Sequence, residues 1–394
     1  MMNKLTDAVI VEVVRTPIGK FRQALASFEP TTLAGMTMKK VIEKAGIDPV
    51  IIDDVIYANL FNYNYGNFAR IALLEAGLPM SVPAITLNRQ CISSINAVAL
   101  AATMIMTGAA EVVMAGGCES YSKQPFMIKK PDSAYPTSLE MAPLKISSDV
   151  VGDPPMIITA ENLAKKYGIT RKECDEFALN SHKKAAAAWD RGFFKGETFP
   201  IEIPQKKGNP IIFDRDECVR RDSTLEALGK LKPVMVKDGV VTAGNSSPMN
   251  DGASAVLLMS KEKAHEYGLK PLAKVTAFVA AGCDPNIMGI GPVYSTRKLM
   301  QKTGLKIDDF DLIELNEAFA AQSIACIKEL NIDPEKVNPN GGAIAIGHPN
   351  AASGGILTAR AVRYMQEANL KRALILFCAG GGQGFSCVLE NEFC

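Results

Sequence analysis

Two stretches of this chain repeat one another. Residues 45–60, AGIDPVIIDDVIYANL, return in order and chemistry at residues 303–318, TGLKIDDFDLIELNEA. Laying Asp54 on Asp311 puts Asn59 on Asn316, and the same offset carries Cys91 onto His348. Each copy leads to a helix of small residues and then to an apolar strand running into glycines, at 112–117 and at 374–380. Equal spacing over so long a stretch predicts an internal duplication, two like α/β halves packed about a pseudo-twofold axis. Such packing brings equivalent strand ends and helix starts together, and open α/β sheets take their ligands beyond the carboxyl ends of strands. Cys91, Asn316, His348 and Cys378 each follow a predicted strand or open a predicted helix, so the duplication predicts that they converge.

Around the repeat, strands are expected at 8–14, 55–60 and 111–115, the last stopping at Gly116-Gly117. Helices are expected at 31–45, closed by Gly46, at 68–76, and from the Cys91 element to about Thr107. Helices alternating with short apolar strands predict a parallel sheet covered on both faces. From Glu119 to about Asp251 prolines multiply, and one long amphipathic helix spans 171–191. This reads as an inserted region of loops and helices, with basic clusters at Lys206-Lys207 and Arg220-Arg221. After Asn250-Asp251-Gly252 the first pattern resumes, with strands at 253–259, 274–280 and 312–315 and helices at 261–267 and 295–302. The expected domains are an N-terminal α/β half over 1–118, continued at about 252–270, a loop domain over 119–251, and a C-terminal α/β half over 271–394.

Composition excludes several classes. At 394 residues, 47% hydrophobic and 22% charged, the chain suits an ordinary soluble globular protein with a sizeable core. Its net charge of +1 gives no reason to expect a nucleic-acid face or a membrane-surface helix. Nine scattered cysteines without a Cys-x-x-Cys pair point to neither zinc nor a disulfide framework, and free thiols fit a reducing compartment. Apolar runs fall short of the about 18 residues of a membrane span, and the first strand leaves no room for a signal peptide. The terminal Glu-Phe-Cys is no peroxisomal address, so a cytoplasmic location is expected.

Four blocks carry chemistry. In LNRQCISSINAV, Cys91 is expected at the first turn of a buried helix, where free N–H groups and the helix dipole stabilise a thiolate. Alone, it would read first as a buried structural thiol. In NPNGGAIAIGHPNAASGGILTAR, His348 is one of only three histidines and is placed to act as a general base. A histidine bonded to a loop carbonyl is the other reading. No Gly-Lys-Ser/Thr follows, which argues against a phosphate loop. In LILFCAGGGQG, Cys378 ends a strand before a glycine run, which fits a proton donor beside an anion-binding turn, or a core cysteine. The glycine spacing is wrong for a dinucleotide fingerprint. Asn316-Glu317-Ala318-Phe319-Ala320 lets Asn316 aim its amide, or a water it holds, into the same space, while Glu317 orders neighbouring loops. Taken singly, both are ordinary turn and capping residues.

With these blocks assembled, the chain resembles the thiolase family, the acetyl-CoA C-acyltransferases, over essentially its whole length. The resemblance rests on Asn88-Arg89-Gln90-Cys91-x-Ser93, Gly116-Gly117-x-Glu119-Ser120, Ala243-Gly244-Asn245-Ser246-Ser247, Asn250-Asp251-Gly252-Ala253, Asn316-Glu317-Ala318-Phe319-Ala320, Asn340-Gly341-Gly342, Gly347-His348-Pro349 and Cys378-x-Gly380-Gly381-Gly382. It implies a layered α-β-α-β-α core of duplicated α/β halves with a loop domain, and acyl transfer through a thioester on Cys91. It implies that His348 takes the Cys91 proton, that Cys378 moves the proton on the second substrate, and that Asn316 and His348 stabilise the enolate oxygen. The amides of Cys91 and Gly380 would hold the oxyanion of the acyl-enzyme step. Coenzyme A and its thioesters are implied as substrates, with no tightly bound cofactor or metal. Arg220 would lie near the adenine, and Ala243 and Ser247 near the pantetheine. Met156 belongs to the same coenzyme set, and Met288, Ala318 and Phe319 would wall the acyl end. Family members are dimers or tetramers.

The chain departs from the family at several places. Cys91-Ile92-Ser93-Ser94 stands for the usual Cys-Gly-Ser-Gly, and His348-Pro349-Asn350-Ala351 for His-Pro-Ile-Gly. Pro155-Met156 stands for a His-Met pair, and Met235 for an aromatic. These bear on the acyl substrate more than on the reaction. A ketoacyl synthase is the nearest rival, disfavoured by Cys378 and the Asn-Glu-Ala-Phe block. A catalytically silent binding subunit of the same fold is the rival from another class.

Overall fold

The computed structural model describes residues 6–132 and 138–391. The first α/β unit holds β1 (Ala8–Arg15), β2 (Gly19–Lys20), α1 (Pro30–Ala45), β3 (Asp54–Ala58), α2 (Phe68–Glu75), β4 (Ala84–Leu87), α3 (Ser93–Met106) and β5 (Val112–Ser120). The next stretch supplies α4 (Met156–Tyr167), α5 (Arg171–Asp190), the hairpin β6 (Ile201–Ile203) and β7 (Ile211–Phe213), and α6 (Leu225–Gly229). β8 (Asn250–Ser260) and α7 (Lys261–Glu266) return to the first unit. The second comprises β9 (Ala273–Gly282), α8 (Gly291–Thr303), β10 (Leu312–Leu315), α9 (Ala320–Leu330), α10 (Ala343–Ile346), α11 (Ser353–Glu367), β11 (Arg372–Ala379) and β12 (Gln383–Glu390).

The two units repeat one pairing scheme. β3 runs parallel to β5, and β8 lies antiparallel to both β5 and β1. In the second unit β10 runs parallel to β11, and β12 lies antiparallel to both β11 and β9. The sheet is therefore mixed, not parallel throughout as the alternation of elements led us to expect. β12 follows β11 through a three-residue turn, and only an antiparallel partner can be reached by so short a link. The units join edge to edge at two positions, where Val9 and Ile10 meet Lys274 and Ala273.

Between the two halves of the sheet lie α3 and α11, whose Ala97, Ala101, Ile356 and Ala359 share one core with Val113 and Val256 of the first half and Ile375 and Phe385 of the second. Leu33, Met38 and Val41 of α1 cover one outer face, and Val293 and Leu299 of α8 cover the other. The result is a layered α-β-α-β-α core. Small residues let the central layer close: a Cβ on Gly354 would stand 2.1 Å from the Ile95 nitrogen. Gly116 and Gly117 do not stop β5, which runs through them to Ser120. A Cβ at either would meet a backbone oxygen, of Ser254 at 2.2 Å or of Ala351 at 2.0 Å, so these glycines serve close approach.

Ser120 pairs with Asp251 at the ends of β5 and β8, so the chain between them leaves and re-enters at adjoining strand ends. Arg15, wholly buried at the end of β1, anchors that segment through Glu197 at 2.6 Å and Asp216 at 2.8 Å. Removing one member of a buried ion pair leaves an uncompensated charge. Arg15→Leu is therefore expected to lower unfolding free energy by about 3–5 kcal/mol, measured by urea denaturation. A loss below about 1 kcal/mol would show that the two carboxylates relax without the guanidinium.

Candidate active site

The strand ends of both units meet at a cavity of about 160 Å3. Cys91 enters it from the first unit, and His348, Cys378 and Gly380 enter from the second. Met156 and Ser247 come from the segment between β5 and β8, while Met288, Ala318 and Phe319 add apolar wall. Asn316 stands behind His348, its Nδ2 3.4 Å from the imidazole Nε2.

Cys91 sits in a tight turn just ahead of α3, not within the helix's first turn. Gln90 takes a left-handed φ of 51°. The turn is held by Ser93, whose hydroxyl donates to the Gln90 carbonyl and accepts from the Arg89 amide, and by Asn88 accepting from the Gln90 amide. The thiolate expected from the helix dipole is not its resting form. Burial, reinforced by the Glu119 carboxyl, pushes the Cys91 thiol up to about 12, against hydrogen bonds from the amides of Cys91 and Gly380. Those two amides converge on the sulfur, but among the described residues no cation is placed to offset desolvation.

The nucleophilic thiolate fraction grows about tenfold per pH unit below the thiol's pKa. Alkylation of Cys91 by iodoacetamide is expected to rise steadily from pH 7 to pH 10. A plateau reached by pH 7 would mean a resting thiolate.

His348 follows Gly347, whose φ of 113° and lack of a Cβ let the chain pass Ile18 and Asn250. Its backbone amide donates to Asn250 Oδ1 at 2.8 Å, and its Nδ1 lies 2.6 Å from Ser353 Oγ. The Asn316 Nδ2 offers only hydrogens, so Nε2 accepts and Nδ1 carries the proton toward Ser353. Burial lowers the imidazole to about 4, so it is neutral with its basic nitrogen toward the cavity. The Asn316 Oδ1 is buried without a partner among the described residues. Cys378 stands next to last in β11, and burial followed by the nearby Cys91 sulfur raises its thiol well above the ordinary range. It too rests protonated.

The remaining candidates divide along a cleft. Ala243 and Arg220 line a neighbouring cavity of about 240 Å3 that shares Pro248 and Met249 with the Cys91 cavity. Arg220, exposed, also borders a third, more open hollow with Arg221. Together the three form a run from the surface to the thiols. Ser247 spends its hydroxyl and its amide on the Ala318 carbonyl, so it shapes the wall that carries Phe319. Of the departures, Pro155 caps α4 ahead of Met156, and Met235 is half-exposed and lines none of these three cavities. Reading the sequence missed Tyr121, Pro248 and Met249 on the cavity wall, and Ser353 behind the imidazole. Ser353 lies five residues from His348 at a predicted helix start, a signal that was available.

A doubled, layered α/β core with a half-buried cysteine at its strand ends defines a class of acyltransferases. Residues 8–262 match the thiolase N-terminal domain and residues 269–391 the thiolase C-terminal domain. The chain belongs to the thiolase family. It is 45% identical to an acetyl-CoA acetyltransferase of Pseudomonas aeruginosa, over 98% of this chain and 100% of that protein. It is 41% identical to a beta-ketoadipyl-CoA thiolase of Acinetobacter baylyi, over 98% and 100%. The crystal structure of the Bacillus anthracis acetyl-CoA acetyltransferase superposes with a TM-score of 0.94 at 40% identity, covering 99% of this chain and 100% of that one. Human mitochondrial 3-ketoacyl-CoA thiolase in complex with CoA gives 0.91 at 37% identity, covering 99% of each chain. Among the described residues no helix is long and apolar enough to cross a membrane.

Proposed function

We propose that this acyltransferase makes or cleaves a 3-oxoacyl-CoA through an acyl-Cys91 intermediate, with acetoacetyl-CoA and two acetyl-CoA as the default pair. The observation that carries the reading is the meeting of two protonated thiols and a neutral imidazole in one cavity, at the inner end of a cleft bordered by Arg220. In cleavage, His348 Nε2 accepts the Cys91 proton and the sulfur attacks the 3-oxo carbon. The bond between C2 and C3 breaks, and Cys378 protonates the departing acetyl-CoA enolate. The thiol of a second coenzyme A then takes the acyl group and restores Cys91. Condensation runs the same steps backward, with Cys378 deprotonating the methyl of acetyl-CoA.

The Cys91 and Gly380 amides hold the oxyanion of acyl transfer, each donor worth roughly 3 kcal/mol in the barrier. His348, and Asn316 through a water, steady the enolate oxygen. The coenzyme lies along the cleft, with Arg220 toward its adenine, Ala243 and Ser247 beside the pantetheine, and Met156, Met288, Ala318 and Phe319 around the acyl end. Relatives named as acetyl-CoA acetyltransferases support the default substrate.

The working form is a homodimer or homotetramer. The edge strand β4, with Ile85 53% exposed, and a surface segment bearing Phe126, Ile128, Leu139 and Met141 support this reading, since each leaves apolar surface open. The setting is cytoplasmic, in keeping with eight unpaired cysteines among the described residues; the ninth, Cys394, lies outside them.

Brief exposure to acetyl-CoA followed by peptide mass spectrometry tests the function. One acetyl group on Cys91 is expected. No adduct with any of a panel of acyl-CoAs would leave a silent binding subunit, and carbon dioxide release from malonyl-CoA would point to a synthase.

A further inference from the structure

The wall of the cavity beside Cys91 carries a polar pair that the reaction does not use. Asn350 Nδ2 donates to the Tyr121 hydroxyl oxygen at 3.0 Å, and both residues line the cavity. The tyrosine ring packs on Phe61 with centroids 5.2 Å apart. One buried carboxyl clamps the backbone on both sides, for Glu119 accepts from the Phe61 amide at 3.1 Å and from the Ala351 amide at 3.3 Å. With its oxygen taken by Asn350, the Tyr121 O–H donates to no described residue. Met156, Met288 and Phe319 give the same cavity an apolar lining.

We propose that the Tyr121–Asn350 pair determines acyl specificity, closing the pocket with a fixed polar wall that admits short acyl groups to Cys91 and turns away extended apolar chains. This rests on the acyl-Cys91 reading and deepens it. An alkyl chain laid against the pair must either cover a hydroxyl donor that finds no acceptor or displace a ring held at both ends. A buried donor without a partner costs enough to lower transfer by roughly 5- to 150-fold. An acetyl group is too short to meet that cost. Discrimination by an unpaired polar group is far sharper than discrimination by one methylene.

The test compares initial rates of Cys91 acylation by acetyl-, butanoyl- and hexanoyl-CoA, read by intact-protein mass spectrometry. The wild-type protein is expected to prefer acetyl over hexanoyl by about tenfold or more. Asn350→Ile and Tyr121→Leu are each expected to raise the hexanoyl-to-acetyl ratio at least about tenfold. Asn350→Ile, which leaves the Tyr121 ring in place, carries the test should Tyr121→Leu fail to fold. Equal wild-type rates, or a ratio within about twofold of wild type in folded Asn350→Ile, would overturn the wall while leaving acylation at Cys91 intact. Absence of any wild-type adduct would overturn both.

Discussion

Cys91→Ala should lower turnover of acetoacetyl-CoA by on the order of 10^4-fold or more, the scale seen when a covalent nucleophile is removed. The methyl side chain has no lone pair to form the thioester, and the Cys91 and Gly380 amides are then left facing a carbonyl that nothing attacks. Cys378 shares the cavity but cannot substitute, because those two amides converge on the Cys91 sulfur. Steady-state thiolysis and peptide mass spectrometry check both parts. An acetyl group found on Cys378 in the variant would sink the assignment of the nucleophile.

Cys378→Ala should separate the two half-reactions. Acylation of Cys91 by acetyl-CoA is expected to persist, since the proposed route sends its proton to His348. Formation and cleavage of the carbon–carbon bond should fall by about 10^2- to 10^4-fold, the usual worth of a positioned acid or base. Exchange of the acetyl-CoA methyl hydrogens with deuterium oxide reads the lost step directly, because exchange needs the enolate. Full exchange with slow acylation would reverse the roles of the two thiols.

Much of this was legible in the chain itself. The offset that carries Asp54 onto Asp311 and Cys91 onto His348 corresponds to two units with the same strand pairing. Helix ends were readable where a local residue sets them: Gly46 takes φ 67° and closes α1. Errors arose where a partner distant in sequence decides. Gly116 and Gly117 looked like a strand end, yet their role is set by Ser254 and Ala351, which no window along the chain contains. The antiparallel course of β8 depends on where a segment of more than a hundred residues re-enters, and the alternation of elements carries no trace of that.

The site divides in the same way. The order of residues alone carried the duplication and singled out Cys91, His348, Asn316 and Cys378 as candidates, because the repeat and the turn chemistry around them are local; the layered core came with the family resemblance. Only the folded molecule decided that Cys91 rests as a thiol and His348 as a neutral base, and that Tyr121 meets Asn350. Protonation follows from how much water packing removes and which charges it leaves nearby. Contact between residues brought in by separate strands is likewise a property of the assembled layers, and no short stretch of either partner encodes it.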